Sequence, residues 1–274
     1  MRVALFVPCF VDQLAPAAAI AALEVLERLG LEVEVPDGAP CCGQPPANAG
    51  FATAGEPALR AFVETFATGR HVVVLSGSCA LHVRAHAGAL GADGRRVAER
   101  TMEFCAFLHD VVGLERVAAL NVALEARVAL HIGCHALRGL GLATPTERML
   151  PAHNVVRSLL ETVRGLSFAT LDRADECCGF GGSFSVGEEA VSTRMGRDRW
   201  RDVREAGASA LISTDVSCLM HLRGIDRGDR GDGGAMPVWH VAEVLAGRAA
   251  LVASTPAEVA ARDVSRATDS PGGA

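Results

Sequence analysis

The run Glu176-Cys177-Cys178-Gly179-Phe180-Gly181-Gly182-Ser183 sets two adjacent thiols against three glycines. Thiolates are ligands for zinc and iron, and glycines free to take φ > 0 let backbone N–H groups crowd around sulfur in a concave nest. A shorter version, Cys41-Cys42-Gly43-Gln44, stands in the first half. The parts around the two runs recur in the same order. Arg127-Val128-Ala129-Leu130-His131-Ile132-Gly133-Cys134 aligns with Arg2-Val3-Ala4-Leu5-Phe6-Val7-Pro8-Cys9, an offset of 125 (134 − 9), and Thr214-Asp215-Val216-Ser217-Cys218 aligns with Leu75-Ser76-Gly77-Ser78-Cys79. Eight of the nine cysteines thus form two sets, Cys9, Cys41, Cys42, Cys79 and Cys134, Cys177, Cys178, Cys218. The ninth, Cys105, lies outside both repeats and is expected to be a buried core thiol.

Four converging thiols need a cation, because thiolates packed without positive charge repel and reprotonate. Zinc is one candidate, although its sites usually use C-x₂₋₄-C knuckles. A polynuclear iron–sulfur group suits adjacent cysteines better, since neighbouring sulfurs can bind different irons. A vicinal disulfide or thiol-redox pair is a further alternative.

Strands must bring these residues together. Val3 to Val7, the alternating Leu31 to Val35 and His71 to Leu75 read as three strands, with helices at the alanine-rich stretch after Pro16 and from about Pro57 to Thr68. The second half restarts at Arg127, with a helix from near Pro145, a short strand near Phe168 to Leu171, a long helix from about Glu188 to Ala206 and a strand from Ala210. Val97 to Asp110 reads as one helix and Gly224 to Ala235 as a mobile loop. The expected fold is α/β, two pseudo-symmetric halves, each a parallel-sheet unit with its cysteine cluster at the C-terminal strand ends, where open α/β sheets bind ligands. The expected domains are residues 1–120, 121–250 and a partly disordered tail, 251–274.

A net charge of −6 and a pI near 5.9 argue against a nucleic-acid binder. The apolar runs are too short for a signal-peptide core or a spanning helix, so a cytoplasmic protein without a transmembrane segment is expected, where thiols stay reduced. No G-x-G-x-x-G after a strand, no P-loop and no G-x-S-x-G is present.

The motifs Cys-Cys-Gly-Gln-Pro, Ser-Gly-Ser-Cys-Ala, Cys-Cys-Gly-Phe-Gly-Gly-Ser-Phe-Ser-Val and Asp-Val-Ser-Cys-Leu-Met-His resemble the CCG, or cysteine-rich, domain of iron–sulfur oxidoreductases such as the heterodisulfide reductases and the iron–sulfur subunits of glycolate oxidases. The likeness runs from Val3 to about Gly247 and is strongest to the lactate-utilisation branch. It implies a subunit in the oxidation of L-lactate, a small 2-hydroxy acid, to pyruvate, with [4Fe–4S] clusters ligated by the eight cysteines. It also implies a ferredoxin-type iron–sulfur partner and a further lactate-utilisation subunit. Thiol/disulfide chemistry of the heterodisulfide type, a glycolate-type subunit and a metal-stabilised scaffold are the alternatives. Ser76 and Asp215 stand where the heterodisulfide pattern has the first cysteine of C-x-x-C, and ferredoxin motifs are missing from the chain.

Around the cysteines, His135 and His221 are placed to support a cluster or shuttle protons. Ser76 and Asp215 adjoin the last cysteine of each set, and Arg138 can offset cluster charge or hold a carboxylate. His131 reads as a strand histidine facing a helix, and His240 as a helix-start residue. No catalytic base can be assigned.

Overall fold

Val3 to Phe6 are all buried, which is what a strand covered on both faces requires. In the computed structural model, which describes residues 1–249, strand β1 (Arg2–Phe6) is flanked by parallel strands β2 (Glu32–Glu34) and β3 (His71–Val74), and β3 by β4 (Thr101–Glu103). The second half repeats this with β5 (Ala123–His131), β6 (Arg164–Phe168), β7 (Ala210–Ser213) and β8 (Val238–His240). The strand orders, β2-β1-β3-β4 and β6-β5-β7-β8, are the same and wholly parallel. The expected tail, 251–274, lies outside the described residues.

Alternation along β1 sorts its side chains between two cores. Val3 and Leu5 enter a core shared by both halves, together with Phe104, Phe107, Val128, Ile212 and Trp239. Ala4 and Phe6 enter an outer core with Phe62, Phe66, Val72 and Val74, and its counterpart in the second half gathers Ala129, Trp200, Leu211 and Leu222. The common core makes the halves one packed body. Arg248 reinforces it from beyond the last helix, Val241–Leu245, through a two-pronged ion pair with Glu24 in the first half.

Several expected elements differ. Val97 to Asp110 is not one helix: Ala92–Arg100 stops at β4, and a short helix, Phe104–Phe107, starts after it. The carboxylate of Glu103, at the end of β4, accepts from the N–H groups of Cys105 (2.7 Å) and Ala106 (3.1 Å), which caps that helix. The glycine-rich stretch from Gly224 is helical to Arg230, because the helix Val216–Arg230 is anchored there by buried Asp226, which pairs with Arg204 and Arg230 and accepts from the Met236 N–H. The helix expected at Pro145 starts instead at Val155, where Asn154 caps it, and β6 ends at Phe168 rather than beginning near it.

Candidate metal centre between the halves

In a parallel sheet ordered β2-β1-β3-β4, the connections leave β1 in opposite directions, so a crevice opens beyond the C-terminal ends of β1 and β3. Cys9 follows β1 and Cys79 lies in the first turn of the helix after β3, Gly77–His86; the loop after β2 swings Cys41 and Cys42 between them. In the second half Cys134, Cys218 and the pair Cys177-Cys178 occupy the same stations. All eight cysteines line one cleft of about 570 Å³. Within each set the thiols contact one another in a chain, the first cysteine to the Cys-Cys pair and the pair to the last. The sulfurs of Cys42 and Cys79 are 3.1 Å apart and those of Cys178 and Cys218 3.0 Å apart, and all nine cysteines are free thiols.

Glycine shapes both turns. Gly43 (φ +87°) and Gly179 (φ +92°) take the left-handed conformation, and a Cβ would stand 2.6 Å from the Gly55 carbonyl oxygen in one and 2.5 Å from that of Ser192 in the other. Their N–H groups donate to the Cys41 and Cys177 sulfurs, at 3.5 and 3.4 Å. Ser192 secures the second turn by donating from Oγ to the Gly179 carbonyl (2.8 Å), with His221 Nε2 against the same hydroxyl at 3.3 Å. His221 therefore supports the backbone of the turn. Its repeat counterpart, His82, is buried and lies against the His86 ring at 4.7 Å, tilted by 44°; sequence reasoning passed it over, though its place three residues after Cys79 matches that of His221 after Cys218.

Electrostatics show what the sites want. Thiol donation from Cys134 and Cys178, then the Gly179 N–H, pull the Cys177 thiol down towards the thiolate, while Cys134 and Cys178 are pushed up by the same contacts and by burial. In the first half Cys41 is raised by its contact with Cys42 and by burial. Cys42 is raised because Cys79 and burial outweigh the pull of Cys41, and Cys9 is raised by burial. Full ionisation of either set therefore requires a cation, and the donor set, four thiols with adjacent members, fits an iron–sulfur group.

Other expected residues fall into place or out of it. Ser76 and Asp215 are buried and joined across the two halves, Ser76 Oγ donating to Asp215 Oδ1 at 2.8 Å. Burial raises the Asp215 carboxyl above its ordinary value, and the Ser76 bond moderates that. His135 lines the cleft. Arg138 does not: its guanidinium is engaged by exposed Glu147 at 2.8 and 3.3 Å. His131 faces the Cys178 and Cys218 sulfurs, with a ring nitrogen within 4.8 Å of both. Burial and neighbouring Arg199 press its pKa down to about 3. His240 caps the helix Val241–Leu245 and touches Thr214 O at 3.0 Å. Cys105 is buried behind β4, in the core shared by both halves. Among the described residues no lysine or arginine lines the cleft, whose lining includes Phe10 and Phe180, packed edge to face at 5.6 Å across the two halves.

A duplicated parallel α/β unit with a four-cysteine set at each switch point defines a class, and the family model of the cysteine-rich (CCG) domain matches residues 3–84 and 128–223. The chain belongs to that family. Over 255 residues, covering 90% of this chain and 100% of each relative, it is 37% identical to lactate utilization protein A of Bacillus licheniformis and 36% identical to the proteins of that name from Bacillus subtilis and Bacillus cereus strain G9842. Among the described residues no helix is long and apolar enough to cross a membrane.

Proposed function

We propose that this chain is an iron–sulfur electron-transfer subunit in the oxidation of L-lactate to pyruvate, with Cys9, Cys41, Cys42 and Cys79 holding one group and Cys134, Cys177, Cys178 and Cys218 another. The observation that carries the reading is the convergence of both four-cysteine sets on one cleft, in a chain matched over 90% of its length by proteins named for lactate utilization. When bound, an iron–sulfur group supplies one-electron chemistry, and a [4Fe–4S] cluster suits four thiolates per half.

The protein's own residues hold and shield that group. The N–H groups of Gly43 and Gly179 stabilise thiolate charge on Cys41 and Cys177, and the Phe10–Phe180 contact adds apolar surface to the cleft lining. A 2-hydroxy acid also needs a cation for its carboxylate and a base for its hydroxyl proton. Among the described residues no arginine or lysine lines the cleft, and Arg138 is turned to Glu147, which favours a subunit that passes electrons over a complete dehydrogenase. Its partners on this reading are a ferredoxin-type iron–sulfur protein and a further lactate-utilisation subunit, in the cytoplasm. Anaerobic purification with iron, acid-labile sulfide and zinc analysis, and paramagnetic resonance after dithionite reduction, tests it. Iron and sulfide with a reduced-cluster signal are expected; zinc without sulfide would overturn it.

A further inference from the structure

The two halves differ beneath their cysteines. Phe6 and His131 end the central strands of their sheets, pair with Val74 and Ser213 at equivalent register, and each precedes its first cysteine by three residues. Phe6 packs edge-on against Phe62 (4.9 Å) and Phe66 (5.8 Å) in the same apolar cluster as Cys42 and Cys79. His131, at 1% exposure, lies against Cys178 and Cys218, and among the described residues neither of its ring nitrogens has a hydrogen-bond partner. A buried N–H without an acceptor forfeits the hydrogen bond that water would have supplied. Arg199, its charged neighbour, offers only donors. The acceptor left for His131 is sulfur at the second site.

Resting on the iron–sulfur reading above, we propose that His131 donates a ring N–H to the sulfur of the second-half group, and that this group therefore accepts an electron at a higher potential than the first-half group, which sits on the Phe6 floor. Donation to sulfur stabilises the more negative reduced state, whereas an apolar floor offers it nothing. Reduction adds one electron to one group; no bond is made or broken, and the electron in the test comes from dithionite.

The full chain, loaded with iron and sulfide anaerobically, is titrated with dithionite under paramagnetic resonance and compared with His131→Phe, His131→Gln and Phe6→His. The wild type should show two unequal one-electron steps. His131→Phe should lower the upper one by at least tenfold in the oxidised-to-reduced ratio at fixed potential, 59 mV for one electron. His131→Gln, which keeps an N–H, should recover part of that shift, and Phe6→His should raise the lower step. Pulsed resonance on protein labelled with ¹⁵N-histidine should show a nitrogen coupling that His131→Phe loses. Unmoved steps in a fully loaded His131→Phe protein, or a wild type without histidine coupling, overturn the inference and leave the iron–sulfur reading standing. A wild type that binds no iron and sulfide overturns the reading itself. If His131→Phe does not fold, the wild-type coupling and the Phe6→His titration decide.

Discussion

Gly179→Ala tests whether the Cys-Cys-Gly turn is built for its sulfurs. At φ +92° an alanine sits in the left-handed region, which costs about 1–2 kcal/mol. The added methyl would stand 2.5 Å from the Ser192 carbonyl oxygen and 2.9 Å from Met195 Cβ, and Ser192 is fully buried in the long helix Glu189–Glu205. The turn must therefore give way rather than the helix, and overpacking of this kind adds about 1–3 kcal/mol. Moving the turn also loses the Ser192 Oγ bond to the Gly179 carbonyl, about 1 kcal/mol. A total near 4 kcal/mol corresponds to a fall of roughly 8–16 °C in Tm for a chain of this size. Gly182→Ala is the control: its φ is +67° but nothing lies within 4 Å of the added methyl, so only the conformational cost of about 1–2 kcal/mol applies. Thermal unfolding followed by circular dichroism gives the stabilities, and iron and sulfide analysis after anaerobic loading gives the occupancy. Gly179→Ala should lose the iron of the second half, while Gly182→Ala keeps it. Equal iron and equal Tm in the two variants would refute the argument.

Replacing Cys177 and Cys178 together by serine should remove the iron and visible absorbance of the second half, whereas Cys105→Ser, in the core, should keep both; equal iron content in the two proteins would overturn the ligand assignment. Burial raises Glu103 from 4.5 to about 8, so between those values the folded chain keeps a proton that the unfolded chain has released. Stability should fall as pH rises through that window, by at most about 5 kcal/mol, and level off above it; Glu103→Gln should flatten the slope in chemical denaturation run from pH 5 to pH 9, and an unchanged slope would remove Glu103 as its cause. The cluster-loaded chain alone should not form pyruvate steadily from L-lactate with an artificial electron acceptor, and turnover abolished by Cys178→Ser would show instead a complete dehydrogenase.

The cysteine framework was legible because a parallel sheet delivers its loops to one edge, and the chain carries the same order of strand ends and thiols twice, with a longer stretch between Cys134 and Cys177 than between Cys9 and Cys41. The fourth strand of each sheet was not. β4 and β8 are three residues long, and each ends in a buried polar residue, Glu103 or His240, that also caps the next helix, so its signal merges with a helix start. Glycine composition suggested a loop at Gly224, but the tertiary anchor at Asp226 carries the helix through. Alternation put His131 on a strand facing a helix without revealing the Cys178 and Cys218 thiols beside it; the alignment with Phe6 held that answer, since Phe6 belongs to the core that contains Cys42 and Cys79.

The same repeat explains why the halves cannot be identical where they meet. Ser76 and Asp215 are counterparts 139 residues apart (215 − 76) and bond to each other, so the repeats meet at equivalent positions. Two aspartates there would bring two buried carboxylates together, one of which would have to stay protonated. A serine on one side supplies the donor that the buried aspartate needs. Gly77 and Val216 follow the same logic: a Cβ at Gly77 would stand 2.7 Å from that of Ala136, so the first half cannot carry the side chain that the second half buries as Val216. Close approach at this contact brings the two switch-point crevices into one cleft, and divergence of the repeats at Ser76, Asp215, Gly77 and Val216 is the condition for that approach.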